Sequence, residues 1–382
     1  METWQRWPLL LLLAPLLLLP SSASASCVLD EEGDNCHCNF SAPKPEWDRI
    51  AMCISAVQVD LHGGGHSLDI FLQKEIADPS KIADILKALR LRRLTVKGAQ
   101  VPAPLLHQLL RALTYTRIEE LSLIDLVISR PPLLPPAISG SDLRLRALHL
   151  HGVWWTGEGS LLAAVGPWLK PGLKALSLTG LNLSYVPCPE LGAFEELNSL
   201  DLSDNPEITE NSLTSALCLL KLQALKDLAL RNTGLQSLGK VCQALEATRT
   251  NVQRLDISYN ELGKTPWTQC TWPAALLSLN LSHANLKCVP EPLPMKLQQL
   301  DLSYNLLRKH PRLPQVTDLN LEGNPFAFAS ASARLQGEQL TEDCTVPSRG
   351  SKFAGTTLAF LVSAAALALL RGTGEFALWG AN

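Results

Sequence analysis
Few residues in this 382-residue chain are placed to do chemistry, and those that are point to cross-linking and binding. The cysteines come first. All ten lie beyond residue 25, and four of them, Cys27, Cys36, Cys38 and Cys53, crowd together. In an oxidising compartment such a group forms disulfides; four cysteines allow three connectivities, and spacing does not choose among them. The spacing fits a zinc set poorly. Cys242 and Cys270 fall at nearly the same offset in successive copies of a repeat, and Cys188 and Cys218 lie about one repeat apart. Each pair is read as a bridge between neighbouring turns. Cys288 and Cys344 remain, either to pair or to leave a free thiol.

The eight histidines are scattered, and His62 and His66, which flank three glycines, make only a weak metal signature. No H-E-x-x-H, G-x-S-x-G, P-loop or dinucleotide fingerprint occurs, so the chain is not read as an enzyme and no cofactor or metal is expected. Between Lys74 and Lys97 seven basic residues (Lys74, Lys81, Lys87, Arg90, Arg92, Arg93, Lys97) face three acidic ones, a local charge of about +4 in a chain of net charge −3. A solvated charged face is the plain explanation. The overall charge argues against nucleic acid as a partner. N-glycosylation acceptors occur at Asn39, Asn182 and Asn280.

These residues hang on a repeat. Leu197 to Asn205 reads L-x-x-L-x-L-x-x-N and returns at Val252, Leu297 and Val316; weaker copies start at Leu91, Ile118, Leu145, Leu173, Leu225 and Leu276. The starts are 19 to 28 residues apart, the period and template of a leucine-rich repeat. The expected fold is α/β: a horseshoe solenoid with a parallel concave sheet and an N-terminal disulfide-tied cap. Each L-x-L is a short strand with its leucines inward and the residue between them on the concave face. Asn205, Asn260, Asn305 and Asn324 are expected to turn inward and satisfy loop backbone. Position nine of the early repeats is Ala99, Leu126, Val153 and Leu181, so the N-terminal half is expected to be less regularly laddered. The concave column holds Asp201, Asp256, Asn280, Asp301 and Asn320.

The chain divides into five segments. Residues 1–25 read as a signal peptide, with Arg6 ahead of an apolar run from Leu9 to Leu19 and Ala23-Ser24-Ala25 at the cut. Residues 26–90 form the cap and an insertion. Its first strand is read as Ile54, Val57 and Val59, followed by apolar Leu68, Ile70, Phe71 and Leu72. A helix with Asp78 as N-cap then carries the stripe Ile82, Ile85, Leu86 and Leu89. Residues 91–330 are the solenoid, including a helix from Pro104 to Tyr115 and an irregular loop at Pro131 to Pro136, and 331–352 a stalk. Residues 353–382 begin with an uncharged run from Phe353 to Leu370, short for a spanning helix. They are read as a removable glycosylphosphatidylinositol signal, with a single-pass helix as the alternative. The protein is then a glycoprotein on the extracellular face of the plasma membrane. The last strand, near Leu319 and Leu321, lacks a cysteine-rich cap, and an uncovered parallel edge points to a homodimer.

Several phrases outside the generic repeat carry a specific likeness. They are Cys36-His37-Cys38-Asn39-Phe40-Ser41, Leu91-Arg92-Arg93-Leu94-Thr95-Val96, Trp168-Leu169-Lys170-Pro171-Gly172-Leu173-Lys174, Leu200-Asp201-Leu202-Ser203-Asp204-Asn205-Pro206 and Leu228-Ala229-Leu230-Arg231-Asn232-Thr233-Gly234. In these the chain resembles the monocyte differentiation antigens, leucine-rich-repeat co-receptors for bacterial lipopolysaccharide. Cys288 and the extended tail after Leu370 depart from that family's pattern.

The resemblance implies bridges Cys27–Cys38, Cys36–Cys53, Cys188–Cys218 and Cys242–Cys270. It also implies a secreted soluble form beside the membrane-tethered one, and a role in innate immunity and the inflammatory response. Lipopolysaccharide and related microbial lipids would arrive from lipopolysaccharide-binding protein and leave for a Toll-like receptor with its lipid-holding accessory subunit. The implied ligand pocket is apolar and N-terminal. Here it would be lined by Val57, Val59, Leu68, Ile70, Phe71, Leu72, Ile82 and Leu86, with Lys74, Lys81 and Lys87 to meet phosphate. The competing class is an adhesion or matrix protein that binds a protein ligand on the concave face. The acidic column and the acceptor Asn280 count against it.

Overall fold
The computed structural model describes residues 27–41, 47–64, 83–129, 143–156, 160–169, 172–185, 188–217, 222–264 and 271–326. The chain divides into two units, Met1–Leu335 and Gln336–Asn382, and the second lies wholly outside the described residues. So do the signal peptide, the Pro131 to Pro136 loop, the stalk and the C-terminal apolar run. Among the described residues no helix is long and apolar enough to cross a membrane.

The leucine-rich-repeat architecture is as expected. Thirteen strands form one sheet in the order β1-β2-β3-β4-β6-β8-β10-β11-β12-β13-β14-β15-β16, parallel from β2 onward. The cap supplies β1 (Cys27–Leu29), β2 (Asn35–Phe40) and β3 (Gln58–Gly63); the solenoid supplies β4 (Arg93–Lys97), β6 (Glu120–Ile124), β8 (Ala147–His151), β10 (Ala175–Thr179), β11 (Ser199–Asp201), β12 (Asp227–Ala229), β13 (Arg254–Asp256), β14 (Ser278–Asn280), β15 (Gln299–Asp301) and β16 (Asp318–Asn320). The register follows the template. Leu94, Leu121, Leu148, Leu176, Leu200, Leu228, Leu255, Leu279, Leu300 and Leu319 are successive partners across the sheet. Nearly all are buried with the leucines two and three positions away, one continuous core. Each fully buried Leu contributes about 1.5–3 kcal/mol, but only once a neighbouring turn covers it.

The two halves close their convex side differently. In the C-terminal half the expected asparagines do the work. The Asn205 amide donates to the carbonyls of Leu178 at 2.7 Å, Leu202 at 2.9 Å and Ser203 at 3.0 Å, while its oxygen accepts from the N–H groups of Leu181 and Leu183. Asn260, Asn305 and Asn324 each bind the turn before them in the same way. The N-terminal half is not less laddered, contrary to the sequence reading. There β5 (Gln100–Pro102), β7 (Val127–Ser129) and β9 (Trp154–Trp155) make a second parallel sheet, and position nine (Ala99, Leu126, Val153) is buried apolar core. Backbone pairing there replaces the side-chain amide.

Position eight of every copy is left-handed, from Gly98 (φ 64°) and Asp125 (51°) through Gly152, Gly180, Asp204 and Asn232 to Gly323 (69°). Tyr259 (58°), His283 (53°) and Tyr304 (53°) hold the same conformation, which bulky side chains resist. Their rings stack at 4.3 Å and 4.6 Å between centroids.

Two local readings are corrected. The first repeat is Ala56-x-x-Val59-x-Leu61, because Val59 and Leu61 pair with Leu94 and Val96. Ile54 instead sits on the 3-10 helix Trp47–Ser55 and is 57% exposed. In the helix Ala83–Ala88, Leu86 is half-buried but Ile85 points outward. The expected helix near Pro104 is Ala103–Leu113, with Leu106, Leu110 and Leu113 buried.

Candidate functional site
The candidate site is built on the cap. Asp30 organises its first hairpin by accepting hydrogen bonds from the N–H groups of Asp34 and Asn35 and from the Asn35 amide at 2.6 Å. Those bonds, the Asn35 N–H foremost, hold its carboxyl below the ordinary carboxylate range. The turn places Cys27 opposite Cys38, and the two form a disulfide. Cys36 bonds Cys53 and ties β2 to the 3-10 helix. The sulfurs of Cys27, Cys38 and Cys53 do lie within 4.8 Å of one another, a metal-like cluster, but they are spent in disulfides. Gly63 (φ 81°) lets the end of β3 meet Ser41, since a Cβ would lie 2.7 Å from the Ser41 nitrogen. His62 approaches the Ser41 hydroxyl at 3.4 Å. His66 lies outside the described residues.

Of the expected pocket lining, Val57, Val59, Leu86 and Lys87 are described. Val57 is half-buried just before β3, where its N–H donates to the Asp34 carbonyl and its carbonyl accepts from the Arg92 N–H. Val59 is buried in the core. Leu68, Ile70, Phe71, Leu72, Lys74, Lys81 and Ile82 lie outside the described residues. The cations are only partly free: Lys87 sits 3.4 Å from Asp84, Arg90 3.1 Å from Asp34, and Arg92 2.8 Å from Glu119.

A feature not read from the sequence is the outward apolar character of the cap. Val28 (59% exposed), Ile50 (40%), Met52 (45%), Ile54 and Ile85 (63%) all face solvent there. Their signal was present, since apolar residues outside the L-x-x-L-x-L pattern have no turn to cover them.

The concave face offers a different chemistry. Asp201, Asp256, Asn280 and Asp301 each accept from the backbone N–H two residues on, at 2.8–3.0 Å, so the acidic column caps strand ends. The D-L-S phrase carried that signal. On the convex side a crevice of about 310 Å³ opens beside Trp154, Trp155 and Tyr185.

Of the other sequence-marked residues, Asn39 and Asn182 are exposed and Asn280 is half-buried in β14. Cys188, Cys242 and Cys288 are disulfide-bonded, with partners outside the described residues, as Cys218, Cys270 and Cys344 are. No described cysteine is free.

The chain is 43% identical to monocyte differentiation antigen CD14 of Bos taurus over 374 residues, covering 97% of this chain and 98% of that protein. It is 44% identical to the Homo sapiens protein of the same name over 379 residues, covering 97% and 98%. A shorter match, 35% over 153 residues, reaches Toll-like receptor 2 of Equus caballus, covering 40% of this chain and 19% of that one. Among solved structures, a chain of the mouse RP105/MD-1 complex aligns with a TM-score of 0.46 at 18% identity, over 71% of this chain and 44% of that one. No family model matches.

Proposed function
The chain belongs to the family of monocyte differentiation antigen CD14, and on that premise we propose that it is an innate-immune co-receptor that binds bacterial lipopolysaccharide at its N-terminal cap. The lipid is passed on to a Toll-like receptor and its accessory subunit, after delivery by lipopolysaccharide-binding protein. The observation that carries this reading is the exposed apolar set of the cap, Val28, Ile50, Met52, Ile54 and Ile85. Elsewhere nearly all the described leucines are consumed by the solenoid core, Leu306 at 44% exposure excepted, and the exposed Val127 and Met295 stand apart from one another.

Acyl chains supply the driving force. Each methylene removed from water contributes about 0.8 kcal/mol, so a chain of roughly twelve carbons gains on the order of 8–10 kcal/mol before ordering costs. The lining is completed by Val57, Val59, Leu68, Ile70, Phe71, Leu72, Ile82 and Leu86, and Lys74, Lys81 and Lys87 answer the phosphates. The concave aspartates would repel those phosphates, which disfavours the concave face as the lipid site. The same reading includes disulfides Cys188–Cys218 and Cys242–Cys270, a glycosylphosphatidylinositol anchor, a shed soluble form and a homodimer through β16.

The test compares two double variants of the secreted ectodomain, folding checked by circular dichroism. Phe71→Asp with Leu72→Asp should abolish lipopolysaccharide binding. Ser278→Lys with Gln299→Lys, on the concave face, should leave it intact. The reverse result would move the ligand to the concave sheet.

A further inference from the structure
We infer that Asn182 carries an N-linked glycan whose first sugars seat in the convex crevice beside Trp154, Trp155 and Tyr185. The crevice lies where one ladder gives way to the other. On one side is β9, the last strand of the convex sheet. On the other the chain turns left-handed at Asn182 (φ 52°) and gives the N–H groups of Leu181 and Leu183 to Asn205 instead of to β9. The seam leaves an opening of about 310 Å³, floored by Leu161 and Leu183, with Asn182 on its lip.

Two large aromatic side chains flank it in solvent, Trp154 at 62% and Tyr185 at 61% exposure. The faces of aromatic rings carry negative potential and attract the polarised C–H groups of a pyranose. The Trp155 Nε1 is buried without a hydrogen-bond partner among the described residues, a donor suited to an acetamido oxygen. Glu190, held by the Ser160 hydroxyl at 2.8 Å, offers a carboxylate oxygen to a sugar hydroxyl.

Asparagine at 182 is explained by its left-handed backbone alone. That requirement does not explain the hydroxyl two residues on, at Ser184, nor the exposed aromatics. Asn280 shows the contrast. It is half-buried in a strand, its oxygen already accepts from the Ser282 N–H, and Ser282 is only 7% exposed.

The inference rests on Asn182 being a modified acceptor, and the experiment separates that premise from the seat. Glycopeptide mass spectrometry of the ectodomain secreted from mammalian cells should find Asn182 occupied; an unmodified Asn182 overturns the proposal at its premise. Thermal unfolding then tests the seat. Ser184→Ala removes the acceptor without touching the Asn182 backbone and should lower Tm by about 1–2 °C, the shift expected for roughly 1 kcal/mol in a chain of this size. In a Trp154→Ala, Tyr185→Ala background the same change should lower Tm no further. Trimming the native glycan to its first sugar with an endoglycosidase should retain the stabilisation. Equal shifts in both backgrounds would mean that the glycan does not touch the crevice, and would overturn the seat.

Discussion

The two halves of the solenoid solve one problem by different means. Every turn of a leucine-rich repeat must satisfy the backbone groups that follow its strand. The N-terminal half does so with strands of five residues on the concave side and a second sheet behind them. The C-terminal half has three-residue strands and relies on one asparagine side chain per turn at most positions. A backbone ladder tolerates any apolar side chain at position nine. The side-chain ladder uses asparagine in four of its six copies, and Thr233 and Ala284 in the other two lean on the asparagine of the next turn. Freedom of sequence in the first half and constraint in the second follow directly.

Exchange at position nine should break this comparison most strongly. Asn260→Ala strands the Ile257 carbonyl and the Thr233 N–H, at about 1–3 kcal/mol for each group left unpaired, whereas the Ser258 carbonyl still accepts from the Asn232 N–H and the Leu230 carbonyl from the Thr233 hydroxyl. A loss of about 2–6 kcal/mol is expected in denaturant unfolding. The converse, Leu126→Asn, should bring no gain, because the Ala99 and Leu126 carbonyls are already paired by Val127 and Trp154. It should cost about 2–4 kcal/mol through a lost buried leucine and a newly buried amide. A stable Leu126→Asn protein would show that the halves are interchangeable.

The left-handed column gives an intermediate effect. His283→Ala removes both ring contacts, to Tyr259 and Tyr304, and keeps the backbone penalty. His283→Gly removes the contacts and the penalty together. The glycine variant should therefore be more stable than the alanine variant by about 1 kcal/mol, an order opposite to that at an ordinary strand or helix position. The reverse ranking would mean that no strain is held there.

The smallest effect is a pH dependence confined to the N-terminal half. His107, on the helix Ala103–Leu113, is stacked 6.0 Å from Trp168, and burial pushes its pKa below the ordinary 6.5. A histidine with a depressed folded pKa favours the native state while it is neutral. That contribution is complete above the unfolded value and is lost as pH falls through about 6.5 toward the folded pKa. Acidification from pH 7.5 to 5 should speed amide exchange in this helix, and His107→Gln should remove that increment. An unchanged profile would place the proton elsewhere.

Much of this was legible because leucine spacing is a strong periodic signal. Ten template starts and nine intervals foretold which residues pair across the sheet, and Asn205, Asn260, Asn305 and Asn324 turned inward as their position required. The first repeat was misplaced by two residues because Ala56 fills a leucine position while the larger Ile54 lies on an exposed helix. The convex sheet is hard to see in the sequence because its strands are only two or three residues long, too short for Val101, Ile128 and Trp155 to show an alternating pattern. Tyr259, His283 and Tyr304 concealed the left-handed column that the glycines before them announce. For the site, the cap disulfides follow the family likeness, whereas the outward apolar set of Ile50, Met52 and Ile54 shows in the sequence only as apolar residues that fall outside the repeat pattern.

The central claim is that lipid enters at the cap. A lipid A analogue carrying a photoreactive diazirine on an acyl chain, crosslinked to the secreted ectodomain and mapped by peptide mass spectrometry, tests it most directly. The account predicts adducts within residues 47–90, competed away by unlabelled lipopolysaccharide. Adducts concentrated on the concave strands between Ser199 and Asn320, with the cap unlabelled, would contradict it.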